Sequence, residues 1–249
     1  FMLVATHDLG TWGLFYLAAN AVAFAVSLLF FWPRQRIRIR PRLYWRRLAD
    51  SIYVAGAEVL FYLQMEFDKL LVLAFGGPHL AGIYAIVMRL VDLTAIPVRT
   101  FTMMLVQRIM RVPATIERLL IRFGIEAGVF AVSTAGLAML AGVLWLYPSA
   151  LGRNVAEAAP LVALAIFVPG LRNLIEYQAE LLFARGQTGL RVINLALLAG
   201  AKSVVLMWLL AMATDTETFV WSLNMGFALL YLASSAMTHA ALRLPAKRF

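Results

Sequence analysis

The sequence predicts an all-α, polytopic membrane helical bundle with about seven transmembrane helices. Three observations carry that prediction. The 249 residues are 63% hydrophobic and only 14% charged, whereas soluble domains are roughly half apolar and a quarter charged. Apolar runs of helical length recur along the chain, each near the ~20 residues that cross a ~30 Å hydrocarbon layer at ~1.5 Å per residue. The arginines gather in alternate joins between those runs. Mean hydropathy is +0.83. The alternating pattern of an outer-membrane barrel is absent. With no cysteine in the chain, disulfides and thiolate metal sites are excluded.

The apolar segments run over 11–32, 51–75, 81–107, 123–147, 159–183, 190–213 and 218–242. Short joins separate most of them: GGPHL, RIMRVPATIER, PSALGRNVAEA, ARGQTG and TDTE. Their Gly, Pro, Asn and Asp residues are turn formers. Only the first join, PRQRIRIRPRLYWRRLAD, is long. The chain opens on Phe1 and carries no signal-peptide pattern, so it reads as a piece of a longer protein.

Charge placement orients the bundle. One set of joins holds Arg34, Arg36, Arg38, Arg40, Arg42, Arg46 and Arg47, then Arg108, Arg111, Arg118, Arg122, Arg185 and Arg191, and the tail Arg243, Lys247 and Arg248. The other set holds Arg153 with Asp8, Glu157, Asp215 and Glu217. By the positive-inside rule the basic side, with the carboxyl end, is cytoplasmic. A net charge of +9 and a pI near 10.3 raise the question of nucleic acid. These charges sit beside apolar spans, where topology explains them, so no nucleic-acid partner is expected. The RIRIRPR run suits anionic lipid headgroups, at about 1 kcal/mol per basic residue near the surface.

Candidate functional residues are the ionisable groups inside spans, each costing ~2.5–3.5 kcal/mol on insertion scales. At about 100° per residue, Glu58, Tyr62, Glu66 and Lys69 share one arc of the second segment, with Asp68 at its edge. Leu60, Leu63, Phe67, Leu70, Leu71 and Ala74 occupy the opposite arc. The expectation is a lipid face and a face on an aqueous cavity, with Lys69 paired to Glu66. In the third segment Arg89 and Asp92 are spaced to pair, near Tyr84, and Pro97 is expected to kink or break the helix. In the fifth, Pro169 and Gly170 mark a break, followed by Arg172, Glu176 and Glu180 with Asn173 and Tyr177 alongside. Asn194 and Lys202 lie in the sixth, Asn224 and His239 in the seventh. Each pair also has a plain reading as a neutralised link between helices. His7, His79 and His239 are too scattered for a metal site, and neither a cofactor motif nor a Ser/His/Asp arrangement is visible.

The block 51–111, with D-K-L-L-V-L-A-F-G-G-P-H-L-A-G-I-Y and then Arg89 and Pro97, resembles the lipopolysaccharide, O-antigen and exopolysaccharide flippases. These belong to the multidrug/oligosaccharidyl-lipid/polysaccharide exporter superfamily. The stretch AELLFARGQTGLRVIN, residues 179–194, is similar to a later join of the same proteins. The resemblance implies a two-lobe transporter: residues 1–32 ending the first lobe, 33–50 a basic cytoplasmic linker, and 51–249 a complete six-helix second lobe. It further implies that the lobes rock around a central cavity in the inner membrane. That motion turns a polyprenyl-pyrophosphate-linked oligosaccharide across the bilayer, with the polysaccharide assembly machinery as a partner and no enzymatic step.

On that reading Lys69, Arg89, Arg172 and Lys202 are the candidate phosphate ligands, with Tyr62 and Asn173 for sugar hydroxyls. Glu58, Glu66, Asp68, Asp92 and Glu176 are the ion-coupling candidates. Acidic groups match basic ones in number along these helices, which departs from a simple phosphate funnel. A cation-coupled drug antiporter of the same fold is the alternative. A membrane-embedded polysaccharide polymerase is disfavoured because the outward joins are too short to carry catalytic groups.

Overall fold

A computed structural model describes residues 9–31, 41–111 and 119–244. The arginines at 34–40, the join at 112–118 with Arg118, and the tail with Lys247 and Arg248 lie outside the described residues, as do His7 and Asp8. All regular structure among the described residues is helical. In hydrocarbon a helix satisfies its own backbone, which an isolated strand cannot do.

The chain divides into two compact units, 1–46 and 47–249. In the first, α1 (Leu9–Phe31) is apolar on every face, and its span 13–30 is wholly exposed. The second unit holds most of α2 (Pro41–Arg111), then α3 (Leu119–Leu146), α4 (Arg153–Ala156), α5 (Ala159–Val162) and a short 3-10 turn (Ala163–Ala165). After these come α6 (Val168–Ala184), α7 (Thr188–Met212) and α8 (Thr216–Leu242). Among the described residues, five helices are long and apolar enough to cross a membrane, or six if the bent pair around α6 counts as one span; α2, with its break at Gly77, counts once.

The expected second and third segments form the single run α2. Its one non-helical residue is Gly77, at φ 81 and ψ 171. Glycine tolerates that left-handed φ, and Pro78 then starts a new helical limb without a spare N–H. The expectation of a break at Pro97 is not met, because the second limb keeps helical dihedrals through it. Before α6 the chain bends by 52° between residues 165 and 168. Pro169 there follows the bend as an early helical residue, where its missing N–H is harmless.

Local caps fix how the last three helices turn. After α6, Gly186 at φ 71 lets Gln187 N donate to Leu182 O and its own N donate to Phe183 O, both at 2.9 Å. α7 therefore returns antiparallel, and Ala179 and Leu195 share one apolar cluster with Ala57. Asp215 caps α8 by accepting from Thr218 N at 2.7 Å. That backbone hydrogen bond holds the Asp215 carboxyl below its ordinary range.

α6 is the central helix, packed against α3, α7 and α8. Side chains such as Tyr84, Leu137, Val162, Leu198, Phe219 and Leu223 fill the main core. Gly170 lets α6 approach α3, and Gly226 lets α8 approach α7. The outer surface is also apolar: Leu63, Phe67, Leu70, Val132, Met139, Val204 and Leu232 are exposed. Such a surface suits lipid and not water.

α6 and α8 run parallel, offset by about 57 residues. Phe167 N donates to Asn224 Oδ1 at 3.0 Å, and Arg185 donates to Leu242 O at 2.7 Å, each across 57 residues. The ends of the bundle differ in chemistry. At one, His79 meets Glu157 at 2.7 Å, and Asp215 and Glu217 open α8. Trp145, Tyr147, Trp208 and Trp221 are exposed toward the same end, as in an interfacial aromatic belt. At the other end lie Arg122, Arg185, Arg191 and Arg243, the first of them joined to His239.

Candidate functional site

Two clusters of ionisable side chains inside the second unit adjoin cavities. The larger borders a cavity of about 350 Å³ between both limbs of α2, α6 and α7. Glu58 and Tyr62 face it from the first limb, Arg99 and Thr102 from the second. Asn173, Glu176 and Glu180 face it from α6, and Arg191 from α7.

Every charge in this wall has a partner. Arg99 grips Glu176 with both prongs of its guanidinium, Nε and Nη2 each donating at 2.8 Å. This planar two-point geometry is specific to arginine. Arg99 also lies 3.5 Å from Asp92, and Arg172 reaches Asp92 at 2.7 Å and Glu176 at 3.6 Å. Two guanidiniums and two carboxylates thus form a neutral square linking α2 to α6. Arg191 bridges two acids, Glu180 at 2.6 Å and Glu58 at 3.1 Å, and stacks over Phe183. The cavity wall itself carries three carboxylates against two guanidiniums, a surplus of one negative charge.

The second cluster is deeper. Asp68 and Lys202 are 3% and 5% exposed. The Lys202 ammonium donates to Asp68 and, at 2.9 Å, to Gln64 O. The Tyr84 hydroxyl donates to Asp68 at 2.8 Å, and Lys202 sits over the Phe227 ring. A smaller cavity of about 190 Å³ borders the pair, walled by Leu63, Phe67, Leu71 and Leu206. One negative and one positive group held by hydrogen bonds are tolerable in an apolar interior, whereas either alone is not.

Set against the expected residues, the structure regroups several. Glu58, Tyr62, Asn173 and Glu176 meet at the larger cavity, and Lys69 pairs with Glu66 at 2.7 Å on an exposed face. Two expectations are corrected. Asp68 does not share the exposed arc of Glu58 and Glu66; its angular offset turns it into the core against Tyr84 and Lys202. Arg89 does not pair with Asp92; it is exposed, while Asp92 pairs with Arg172 and Arg99. An i, i+3 spacing permits a contact, but a neighbouring helix that offers a closer guanidinium takes it.

Arg89→Ala is accordingly expected to leave thermal unfolding in detergent within about 0.5 kcal/mol of wild type. A loss as large as that of Arg172→Ala would return Arg89 to a structural pair. Sequence reasoning did not name Arg99 or Arg191 as site residues. Arg99 lies two turns beyond Asp92 on the same face, a signal that was present. Arg191 stands at the mouth of a span and reads as a topology arginine until α6 supplies Glu180. Among the described residues no group of His, Asp and Glu is arranged to hold a metal. Comparison with protein-family models, characterised proteins and solved structures returns no match for this chain.

Proposed function

We propose that this chain forms part of a membrane transporter that turns a polyprenyl-pyrophosphate-linked oligosaccharide across the cytoplasmic membrane. On this reading the two limbs of α2 cross separately and the bent pair around α6 crosses once, giving seven spans, six of which make one lobe that rocks against another, with the carboxyl end cytoplasmic. The observation that supports it most is the charged cavity of about 350 Å³ inside an otherwise lipid-compatible bundle. Charge at that depth has a cost that a transport pathway repays.

The chemistry suits an anionic, hydroxyl-rich cargo. Arg99 and Arg191 are forks whose carboxylate partners a pyrophosphate replaces in kind. Tyr62, Thr102 and Asn173 offer hydrogen bonds to sugar hydroxyls. The exposed Glu58, Tyr62 and Glu66 face is one that a second lobe covers. A cation-coupled drug antiporter is the second reading, favoured by the surplus carboxylate in the cavity wall.

Reconstitution of the full-length parent in vesicles separates them. The expected result is flipping of labelled lipid-linked oligosaccharide without dye efflux. Arg99→Lys is expected to cut it roughly tenfold at unchanged protein level, because the charge stays and the fork is lost. Dye efflux without flipping hands the site to the antiporter, and neither activity ends both readings. In intact cells, cysteines at Gly77 and Thr216 should label from outside and one at Arg243 should not.

A further inference from the structure

Four polar side chains outside both clusters are buried on α6, α7 and α8. Gln178 is on α6, Asn194 on α7, and Ser234 and Thr238 on α8. None is more than 3% exposed. Six of their atoms have no hydrogen-bond partner among the described residues: both amide atoms of Gln178 and of Asn194, and the two hydroxyls.

Helix register brings the four to one level. Contacts at offsets of 54 to 60 residues between the α6 and α8 stretches set Gln178 beside positions 232–238, which hold Ser234 and Thr238. Those two are four apart and share a face of α8. The Glu180–Arg191 ion pair and the apolar cluster shared by Ala179 and Leu195 place Asn194 within about one turn of Gln178. The band they occupy is on the order of 6 Å high.

Buried polar groups without partners are rare because each forfeits its bonds to water. Six in one band of a helix seam point to a ligand. Its chemistry follows from the mixture of orphans. A cation satisfies amide and hydroxyl oxygens but leaves the two amide N–H groups unmet. Water donates and accepts, so it satisfies both kinds. We propose that Gln178, Asn194, Ser234 and Thr238 enclose a cluster of ordered water, about two molecules at two to four hydrogen bonds each. The seam between α6, α7 and α8 is then wet at its centre, and its polar groups bond through water rather than to each other.

Thermal unfolding of the full chain in detergent tests this. Ser234→Ala and Thr238→Val are each expected to lower the melting temperature by a few degrees, since the water loses a partner and the neighbours stay buried. Replacing NaCl or KCl by choline chloride should change nothing. The quadruple change Gln178→Leu, Asn194→Leu, Ser234→Ala, Thr238→Val should cost less than the sum of the singles, because it leaves no orphan. A rise in melting temperature for the single variants overturns the proposal, as the groups are then dry. Stabilisation by sodium or potassium over choline also overturns it, in favour of a cation. A high-resolution map lacking solvent density between the four side chains does so directly.

Discussion

Lys202→Met is expected to destabilise the protein by about 3–5 kcal/mol, the largest single effect predicted here. Asp68 is 3% exposed, so removing the ammonium leaves a carboxylate in an apolar interior with no counter-charge, held only by the Tyr84 hydroxyl and the Lys69 N–H. The lost cation–ring contact with Phe227 adds little by comparison. The double change Asp68→Asn with Lys202→Met should recover most of the loss, because a neutral amide keeps the Tyr84 hydrogen bond without a buried charge. Thermal unfolding in detergent, with membrane abundance as a second readout, measures both. A single variant as stable as wild type would contradict the buried ion pair. Arg172→Ala is expected to cost less, since Asp92 and Glu176 both retain Arg99.

Gly170→Val should be the next most damaging, at about 1–3 kcal/mol or above. A Cβ at this position meets the Phe130 ring at 2.6 Å and Thr134 Oγ1 at 2.8 Å. The ring lies parallel to that of Phe167, 6.1 Å between centroids, so its retreat disturbs a second aromatic side chain. Either these side chains shift or α3 and α6 separate, and α6 carries Arg172, Asn173 and Glu176 into the candidate site. The control is Gly142→Ala on α3, where nothing lies within 4 Å. That change should be neutral or slightly stabilising, through helix propensity alone. Equal effects at the two glycines would mean that α3 and α6 do not approach as closely as the contact requires.

Much of the architecture is legible along the chain because its causes are local. A run such as 218–242 is apolar for the length of a bilayer, and no neighbour is needed to make it a helix. Gly77 and Gly186 end helices through their own backbone freedom, and Asp215 starts one through its own side chain. The separation of basic from acidic joins is likewise visible as text, and it reappears as two chemically different ends of the bundle. The pairing of Lys69 with Glu66 was readable too, since both partners sit on one helix.

What only the tertiary structure decided is which charge meets which. Asp92 has Arg89 three residues away in its own helix, yet its partners are Arg172 on α6 and Arg99 two turns along. Asp68 and Lys202 are 134 residues apart, and no periodicity within either helix announces the other. The same holds for Arg191, which serves Glu58 and Glu180 from a different helix. Helical periodicity fixes the direction in which a side chain leaves its own axis. Partner choice depends on the height and rotation of the neighbouring helix. Those are set by small-residue contacts such as Gly170 on Phe130, and by the cost of leaving any one of these ions alone.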